Sequence, residues 1–382
     1  MPDTIYDQLT LELKKSGAQE ALKLLCSHLE ASGDYHKLFY ALLSRARAEK
    51  GLCAIPTSPS SDVPPSLHQQ FEEDIRNSAR KAATLFLAKG DLEQAWQYFK
   101  MIGETEPIRA AIDALNPGPE DDIEAPVRLA FYEGLNMPRG FDWILQRYGM
   151  CNAITTLSSQ DFAAIPAVRE YCLQKLLRAL YEELAGRIAA EIERREGKLP
   201  QIEVKTGCLR NLMAGRDWLF EEDAYHIDLS HLSSTVQMSI HLPPGEELDL
   251  ARELCDYGAR LSEKFLGRNE PPFDKFYLSY GKYLDILAGR EVEAGLDYYR
   301  QIVRENEAEG STYPAEVLLQ ILERIGKEEE ALSLAGKTLT ASGLFPMCAK
   351  AKNFQPLADA ARRQEDPVHF LAALIEQGKQ KR

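Results

Sequence analysis

Apolar residues recur every three or four positions along most of this chain, the spacing that places them on one face of an α-helix. The clearest stretch covers residues 169–195, and its opposite face is rich in Arg and Glu. Its apolar stripe consists of Leu173, Leu177, Leu180, Leu184, Ile188 and Ile192. Similar patterns predict helices over 5–30 and 35–50, and again over most of the chain after residue 231. The pattern therefore predicts an all-α protein.

Stretches rich in proline interrupt this pattern and divide the chain. Residues 51–66 combine Pro with Ser, and residues 116–126 combine Pro with acidic residues. Because proline lacks a backbone N–H, neither stretch can continue a helix. The predicted segments are an N-terminal helical hairpin (1–50), a linker (51–66), a helical unit (67–195), a non-repeat insertion (196–230) and a C-terminal helical repeat unit (231–382).

The insertion, near residues 197–230, departs from the helical period. Apolar and polar residues alternate over 202–205 and again over 225–230. A period of two is typical of a β-strand, so these stretches predict a short two-stranded element. An irregular loop that leads into a helix is the alternative.

A motif of glycine, alanine and a third residue, aromatic in two of its copies, occurs three times. The copies are Gly90/Ala95/Phe99, Gly289/Ala294/Tyr298 and Gly326/Ala331/Ala335. In a helical hairpin, such a glycine ends the first helix in a left-handed turn, and the alanine lets the second helix approach the first closely. The three copies therefore predict three helical hairpins.

Residues 77–109 resemble the tetratricopeptide repeat. Ala83 and Phe86 match the family's small and aromatic positions on the first helix, and Pro107 matches the proline that ends the repeat. The copy over 279–309 departs from the family, because it has charged residues at those first-helix positions and lacks the final proline. The resemblance implies an α-solenoid of stacked hairpins with a concave groove. It also implies an adaptor or scaffold that binds a peptide or protein, in a family whose members are usually not enzymes.

Charge and composition indicate which classes of partner and which cellular compartment to expect. The chain has 382 residues and a formal net charge of −14, whereas nucleic-acid binding needs a basic surface. It contains neither a long apolar run that could span a membrane nor a signal-peptide pattern at its start. Its seven cysteines form no C-x-x-C motif, which favours buried thiols in a reducing compartment. We therefore expect a cytoplasmic protein without a nucleic-acid or membrane partner.

Candidate binding residues lie on a helix predicted to begin after Asp228. Relative to the apolar stripe of that helix, Ser234, Thr235 and Met238 fall on the opposite face, where they either meet solvent or line a groove. Tyr280 belongs to an aromatic cluster whose helical spacing favours core packing, with a tyrosine-lined groove as the alternative.

A second hypothesis makes the protein a metal-binding protein or a metal-dependent enzyme. Two D-x-x-H motifs lie five residues apart, and they offer His226, Asp228 and His231 as ligands for a divalent transition metal. Helix capping by Asp228 and local hydrogen bonds from the histidines are the alternative. Under the adaptor hypothesis we expect no cofactor. A third interpretation is a structural subunit with a large exposed apolar face.

Residues 331–338 match a permissive form of the P-loop. A phosphate-binding loop follows a strand and is rich in glycine. Here the stretch falls inside a predicted helix, with Leu332 and Leu334 where phosphate would bind. We therefore do not expect nucleotide binding.

Overall fold

The structure, a computed structural model, describes residues 4–58, 60–307 and 311–380, and all regular secondary structure in these ranges is helical. These residues form α-helices, 3-10 turns and two short π-helical segments, and no β-strand occurs among them. This confirms the all-α prediction. The chain divides into two compact units, Met1–Arg147 and Tyr148–Arg382, called here the first and the second unit. The boundary falls inside the segment predicted as one helical unit over 67–195.

Neighbouring helices along the chain pack against each other in the first unit. Its α-helices are α1 (Ile5–Ser16), α2 (Ala18–Ser32), α3 (Tyr35–Glu49), α4 (His68–Ala88), α5 (Leu92–Ile102), α6 (Glu106–Ala114), α7 (Glu124–Val127) and α8 (Met137–Trp143). Helices α1 to α6 contact their neighbours in order, which is the packing expected of successive hairpins. Helices α1 and α2 replace the single helix predicted over 5–30, because Gly17 adopts a positive φ between them.

The second unit is built around a long helix. Its α-helices are α9 (Gly149–Ser159), α10 (Pro166–Glu196), α11 (Cys208–Met213), α12 (Leu229–Ser239), α13 (Glu246–Gly258), α14 (Phe276–Leu287), α15 (Val292–Glu307), α16 (Tyr313–Arg324), α17 (Glu328–Thr338), α18 (Ala341–Ala351), α19 (Gln355–Arg363) and α20 (Pro367–Gln380). Helix α10 packs against α9, α11, α12 and α13, and helices α13 to α20 then contact their neighbours in sequence order. The second unit therefore combines a core around α10 with repeat-like hairpins.

The predicted linker is held against the first unit by a buried arginine. Arg47, on α3, is 1% exposed, and its Nε donates a hydrogen bond to the carbonyl of Cys53 at 2.6 Å. Its guanidinium also pairs with Asp62 and lies over the ring of Phe71. Arg47 thus joins α3 and α4 across a segment without regular helix.

The glycine motif forms hairpin turns at all three predicted places. Gly90, Gly289 and Gly326 each have a φ between 73° and 79°, which a glycine adopts without strain. In the α4–α5 hairpin, Ala95 and Phe99 are buried, as the motif requires. The α16–α17 hairpin likewise buries Ala331 and Ala335.

The α14–α15 hairpin corrects the predicted register by one residue. Ala294 is exposed, and Gly295 is the buried residue at the close approach. A Cβ on Gly295 would lie 2.6 Å from Cγ1 of Ile286 on the facing helix. Tyr299, one turn later, is fully buried, and Tyr298 is only partly covered. The packing positions are therefore Gly295 and Tyr299 rather than Ala294 and Tyr298.

The two-stranded element predicted in the insertion does not form. No strand occurs in 197–230; residues 198–206 are irregular, and the rest contains α11 and a 3-10 segment (Asp217–Asp223) before α12 begins. Between the two predicted strands, a buried carboxylate on α13 organises the backbone instead. Glu253 accepts hydrogen bonds from the backbone N–H groups of Gly207, Leu209 and Arg210. The first backbone N–H groups of α11 thus find their acceptor in a side chain rather than in the backbone of a neighbouring strand.

Residues 331–338 lie within α17, as expected, so the P-loop match forms no phosphate-binding loop. Within the described ranges, no helix combines the length and the apolar character needed to cross a bilayer.

Candidate functional site

Helix α12 positions the candidate binding residues, and Asp228 fixes where that helix begins. The Asp228 carboxylate accepts hydrogen bonds from the N–H groups of Ser230, at 2.8 Å, and His231, at 3.2 Å. Hydrogen bonds from the Ser230 side chain and from the His231 backbone lower the pKa of Asp228. Asp228 therefore acts as a helix cap, which was the alternative to a metal ligand.

Three of the four candidate binding residues line one cavity in the second unit. Ser234 and Met238 from α12 and Tyr280 from α14 face a space of about 330 Å³ that α16 also borders. Its lining further includes Ser158, Gln237, His241, Phe273, Tyr283 and Tyr313. Thr235, the fourth candidate, does not line the cavity; it is buried, and its hydroxyl has no partner among the described residues. We call this cavity the tyrosine compartment.

Aromatic side chains form one wall of the tyrosine compartment. The rings of Phe273 and Tyr280 stack at 4.1 Å between centroids with an interplanar angle of 12°. Tyr280 is 3% exposed and Tyr283 is 1% exposed, but neither hydroxyl is among the enclosed side-chain atoms that lack a partner in the described part of the chain, so both hydroxyls are open to the cavity. Burial raises the pKa of Tyr283 to about 12 and also raises that of Tyr280. Both phenols therefore stay protonated at neutral pH and can donate a hydrogen bond to a ligand.

A second cavity adjoins the first. It measures about 340 Å³ and shares Ser158, Met238 and His241 with the tyrosine compartment. Arg169 of α10 and Asp161, from the α9–α10 connection, also line it. We call it the arginine compartment, and the two compartments together the groove. The two compartments therefore lie side by side, separated by the residues that they share.

Two arginines, Arg169 and Arg324, lie near His241, which both compartments share. The pKa of His241 is lowered to about 4, first because the surrounding protein removes water from its ring and then because Arg169 and Arg324 lie nearby. His241 is therefore neutral at pH 7. Arg324 donates hydrogen bonds to the carbonyls of Ile240 and Leu242. These acceptors are neutral, so no carboxylate balances the positive charge of Arg324 in these hydrogen bonds.

Comparisons with known proteins leave the family open. No protein-family model matches the chain, and no curated protein sequence matches it. One solved structure, titled "Circular tandem repeat protein with novel repeat topology and enhanced subunit contact surfaces", is 16% identical and aligns with 98% of this chain and 82% of its own, at a TM-score of 0.18. Because of that low TM-score, we base no argument on it. The tetratricopeptide resemblance is not confirmed beyond an all-helical, repeat-like fold.

The candidate metal ligands have other roles. The backbone N–H of His226 donates to the hydroxyl of Tyr257 at 2.8 Å, and the same hydroxyl lies 3.2 Å from Nδ1 of His226. Burial lowers the pKa of His226, although the Glu191 carboxylate acts in the opposite direction. Among the described residues, no group of three or more His, Cys, Asp and Glu side chains is arranged to hold a metal ion. The structure therefore lends the metal hypothesis no support.

Sequence analysis missed the charged half of the groove. Arg169 lies at the start of α10, about 70 residues before Met238 along the chain, and Arg324 lies more than 80 residues after it. No local spacing connects such distant positions, so only the packing of α10, α12 and α16 could show that they converge. Tyr283 had a local signal, because it lies three residues after Tyr280 on the same helix face.

Proposed function

We propose that this protein is an adaptor or scaffold that binds a peptide segment of another protein in the groove of its second unit. The observation that carries the proposal is that Ser234, Met238 and Tyr280, from two different helices, line one cavity, and that a second cavity shares part of its lining. Binding sites of this kind combine apolar walls with a few polar groups that fix orientation. Here Phe273 and Met238 supply the apolar wall, and the tyrosine hydroxyls supply the polar groups.

The cytoplasmic location expected from the sequence belongs to the same proposal. All seven cysteines are free thiols, and five of them are buried, which fits a reducing compartment. The metal-dependent alternative is not proposed, because Asp228 caps α12, His226 hydrogen-bonds with Tyr257, and the described residues include no cluster of metal-binding side chains.

Site-specific photocrosslinking in cell extract tests the adaptor function. A benzoylphenylalanine in place of Gln237, which lines the tyrosine compartment and is exposed, is compared with one in place of Gln301, exposed on α15. We expect a discrete crosslinked protein from position 237 that is absent from position 301. Mass spectrometry of the crosslinked band identifies the partner.

A variant that fills the cavity supplies the control. Ser234→Trp places a large side chain in the tyrosine compartment and should abolish the crosslink from position 237, while circular dichroism and a cooperative melt show that it folds. Gln320→Trp, on the opposite wall, replaces it if Ser234→Trp does not fold. The same crosslinks at both positions, or a crosslink that survives the filled cavity, would exclude the groove as the binding site.

A further inference from the structure

The shape of the groove favours an extended ligand. The two compartments, of about 330 Å³ and 340 Å³, meet at Ser158, Met238 and His241. A compact small molecule would occupy one compartment, whereas an extended peptide can place successive side chains in both. This inference rests on the proposed function and concerns what the peptide must carry.

The tyrosine compartment provides an aromatic surface with unused hydrogen-bond donors. The side chains of Tyr280 and Tyr283 are each more than nine-tenths buried, but neither hydroxyl is among the enclosed side-chain atoms that lack a hydrogen-bond partner in the described part of the chain. Both hydroxyls are therefore open to the compartment, where they can donate hydrogen bonds to water or to a ligand. Beside the stacked rings of Phe273 and Tyr280, such donors suit a large apolar or aromatic side chain flanked by peptide carbonyls.

Arg169 supplies the charge of the arginine compartment. Further along the same helix, Arg178 contacts Glu247 at 2.6 Å and Arg187 contacts Glu183 at 2.6 Å. Arg169 differs from both, because its side chain has no hydrogen-bond or ion-pair partner in the described ranges.

Charges of both signs surround Arg169. Asp161 also lines the compartment, and its Oδ1 accepts the N–H of Ala163. Arg324 lies outside the lining but, like Arg169, lowers the pKa of His241, and it donates to backbone carbonyls rather than to a carboxylate. The two arginines therefore make the surroundings of His241 positive, in a chain whose net charge is −14. A carboxylate is the complementary ligand group, because a guanidinium binds it with charge-assisted hydrogen bonds.

We propose that the groove recognises a peptide segment that places an aromatic or large apolar side chain in the tyrosine compartment and an Asp or Glu side chain against Arg169. The positive charge comes from Arg169 on α10 and from Arg324 at the end of α16.

Paired peptide pools test the carboxylate. Fluorescein-labelled peptides carry a fixed Phe and a fixed Glu separated by two, three or four degenerate positions, and matched pools carry Gln in place of Glu. Fluorescence anisotropy with the full-length protein measures the Kd of each pool. We expect at least one Glu pool to bind about tenfold more tightly than its Gln partner, with the difference shrinking at high salt.

Matched variants locate the effect. Arg169→Gln should remove the preference for Glu, whereas Arg187→Gln removes the same charge from the same helix outside the groove and should leave the preference intact. Tyr280→Phe and Tyr283→Phe keep the rings and remove the hydroxyls, so they should weaken binding of Glu and Gln pools alike.

The outcomes separate this inference from the adaptor proposal. Equal binding of Glu and Gln pools, or a preference that survives Arg169→Gln, overturns the carboxylate inference and leaves the groove as a peptide site. A lack of binding by every pool overturns it too, and crosslinking from position 237 then decides independently whether the groove binds a protein. Complete displacement of the peptides by a single-stranded oligonucleotide would instead identify a nucleic-acid site and overturn both.

Discussion

Glu253 shows how a single buried side chain can organise a segment that lacks regular structure. It is 1% exposed, and its Oε2 accepts hydrogen bonds from the hydroxyl of Tyr181 at 2.7 Å and from the N–H of Leu209 at 3.2 Å. Its other oxygen accepts the N–H of Gly207. Each buried donor left without an acceptor costs about 1–3 kcal/mol. We therefore expect Glu253→Ala to lower the free energy of unfolding by about 3 kcal/mol, measured by urea denaturation.

Two further substitutions separate this effect from a general loss of negative charge. Glu253→Gln keeps one carbonyl oxygen but turns an amide N–H₂ towards backbone donors, so its stability should lie between those of Glu253→Ala and the unaltered protein. Glu183→Ala removes an exposed carboxylate that pairs with Arg187 on the same helix, and should change stability by less than about 0.5 kcal/mol. A Glu253→Ala protein as stable as Glu183→Ala would show that the hydrogen bonds to the insertion contribute nothing.

At the scale of the elements, the register of the α14–α15 hairpin gives a sharp prediction. Gly295 packs so closely on Ile286 that an added Cβ would lie 2.6 Å from Cγ1, whereas Ala294 faces solvent. Gly295→Val should therefore lower the free energy of unfolding by about 2 kcal/mol through overpacking. Ala294→Val, the same new side chain one residue earlier, should cost less than about 1 kcal/mol, because only helix propensity changes. Equal losses in urea denaturation would restore the register predicted from the sequence.

Elements whose signals are local were predictable, and those that depend on distant contacts were not. The apolar period identified α10, and Asp228 identified the start of α12. The motif around Gly289 predicted the hairpin but placed its contact one residue early, because a glycine and an alanine both permit close approach. Alternation in the insertion resembled strands, since nothing near 202–205 reveals that Glu253 binds the backbone just beyond it, at Gly207 and Leu209.

The candidate site divides in the same way. Ser234 and Met238 could be placed on a groove-facing side from α12 alone, because helical geometry fixes which residues share a face. The same argument placed Thr235 there, and it is instead buried in the protein with its hydroxyl unpaired. Arg169 could not be found at all, since its contribution depends on how α10 packs against other helices.

At the scale of the whole molecule, the two units each have buried thiols that can report their unfolding separately. Cys26 is buried in the first unit and Cys255 is buried in the second, and burial raises the pKa of both thiols, so each reacts with an alkylating reagent only after its surroundings open. Because each unit forms its own compact set of contacts, we expect the units to unfold as separate cooperative blocks. Pulsed alkylation across a urea series, read by mass spectrometry, should then give different midpoints for the two cysteines.

Glu253→Ala makes this prediction specific, because the substitution acts inside the second unit alone. If the units unfold independently, Glu253→Ala lowers the free energy of unfolding of the second unit by about 3 kcal/mol, and the urea midpoint for Cys255 decreases accordingly. The midpoint for Cys26 should stay unchanged. Ala294→Val is the control, because it changes only the surface of the second unit. It should shift the urea midpoint of either cysteine much less than Glu253→Ala shifts that of Cys255. If both midpoints moved together in Glu253→Ala, the chain would unfold as one cooperative structure, and the prediction of separate blocks would be wrong.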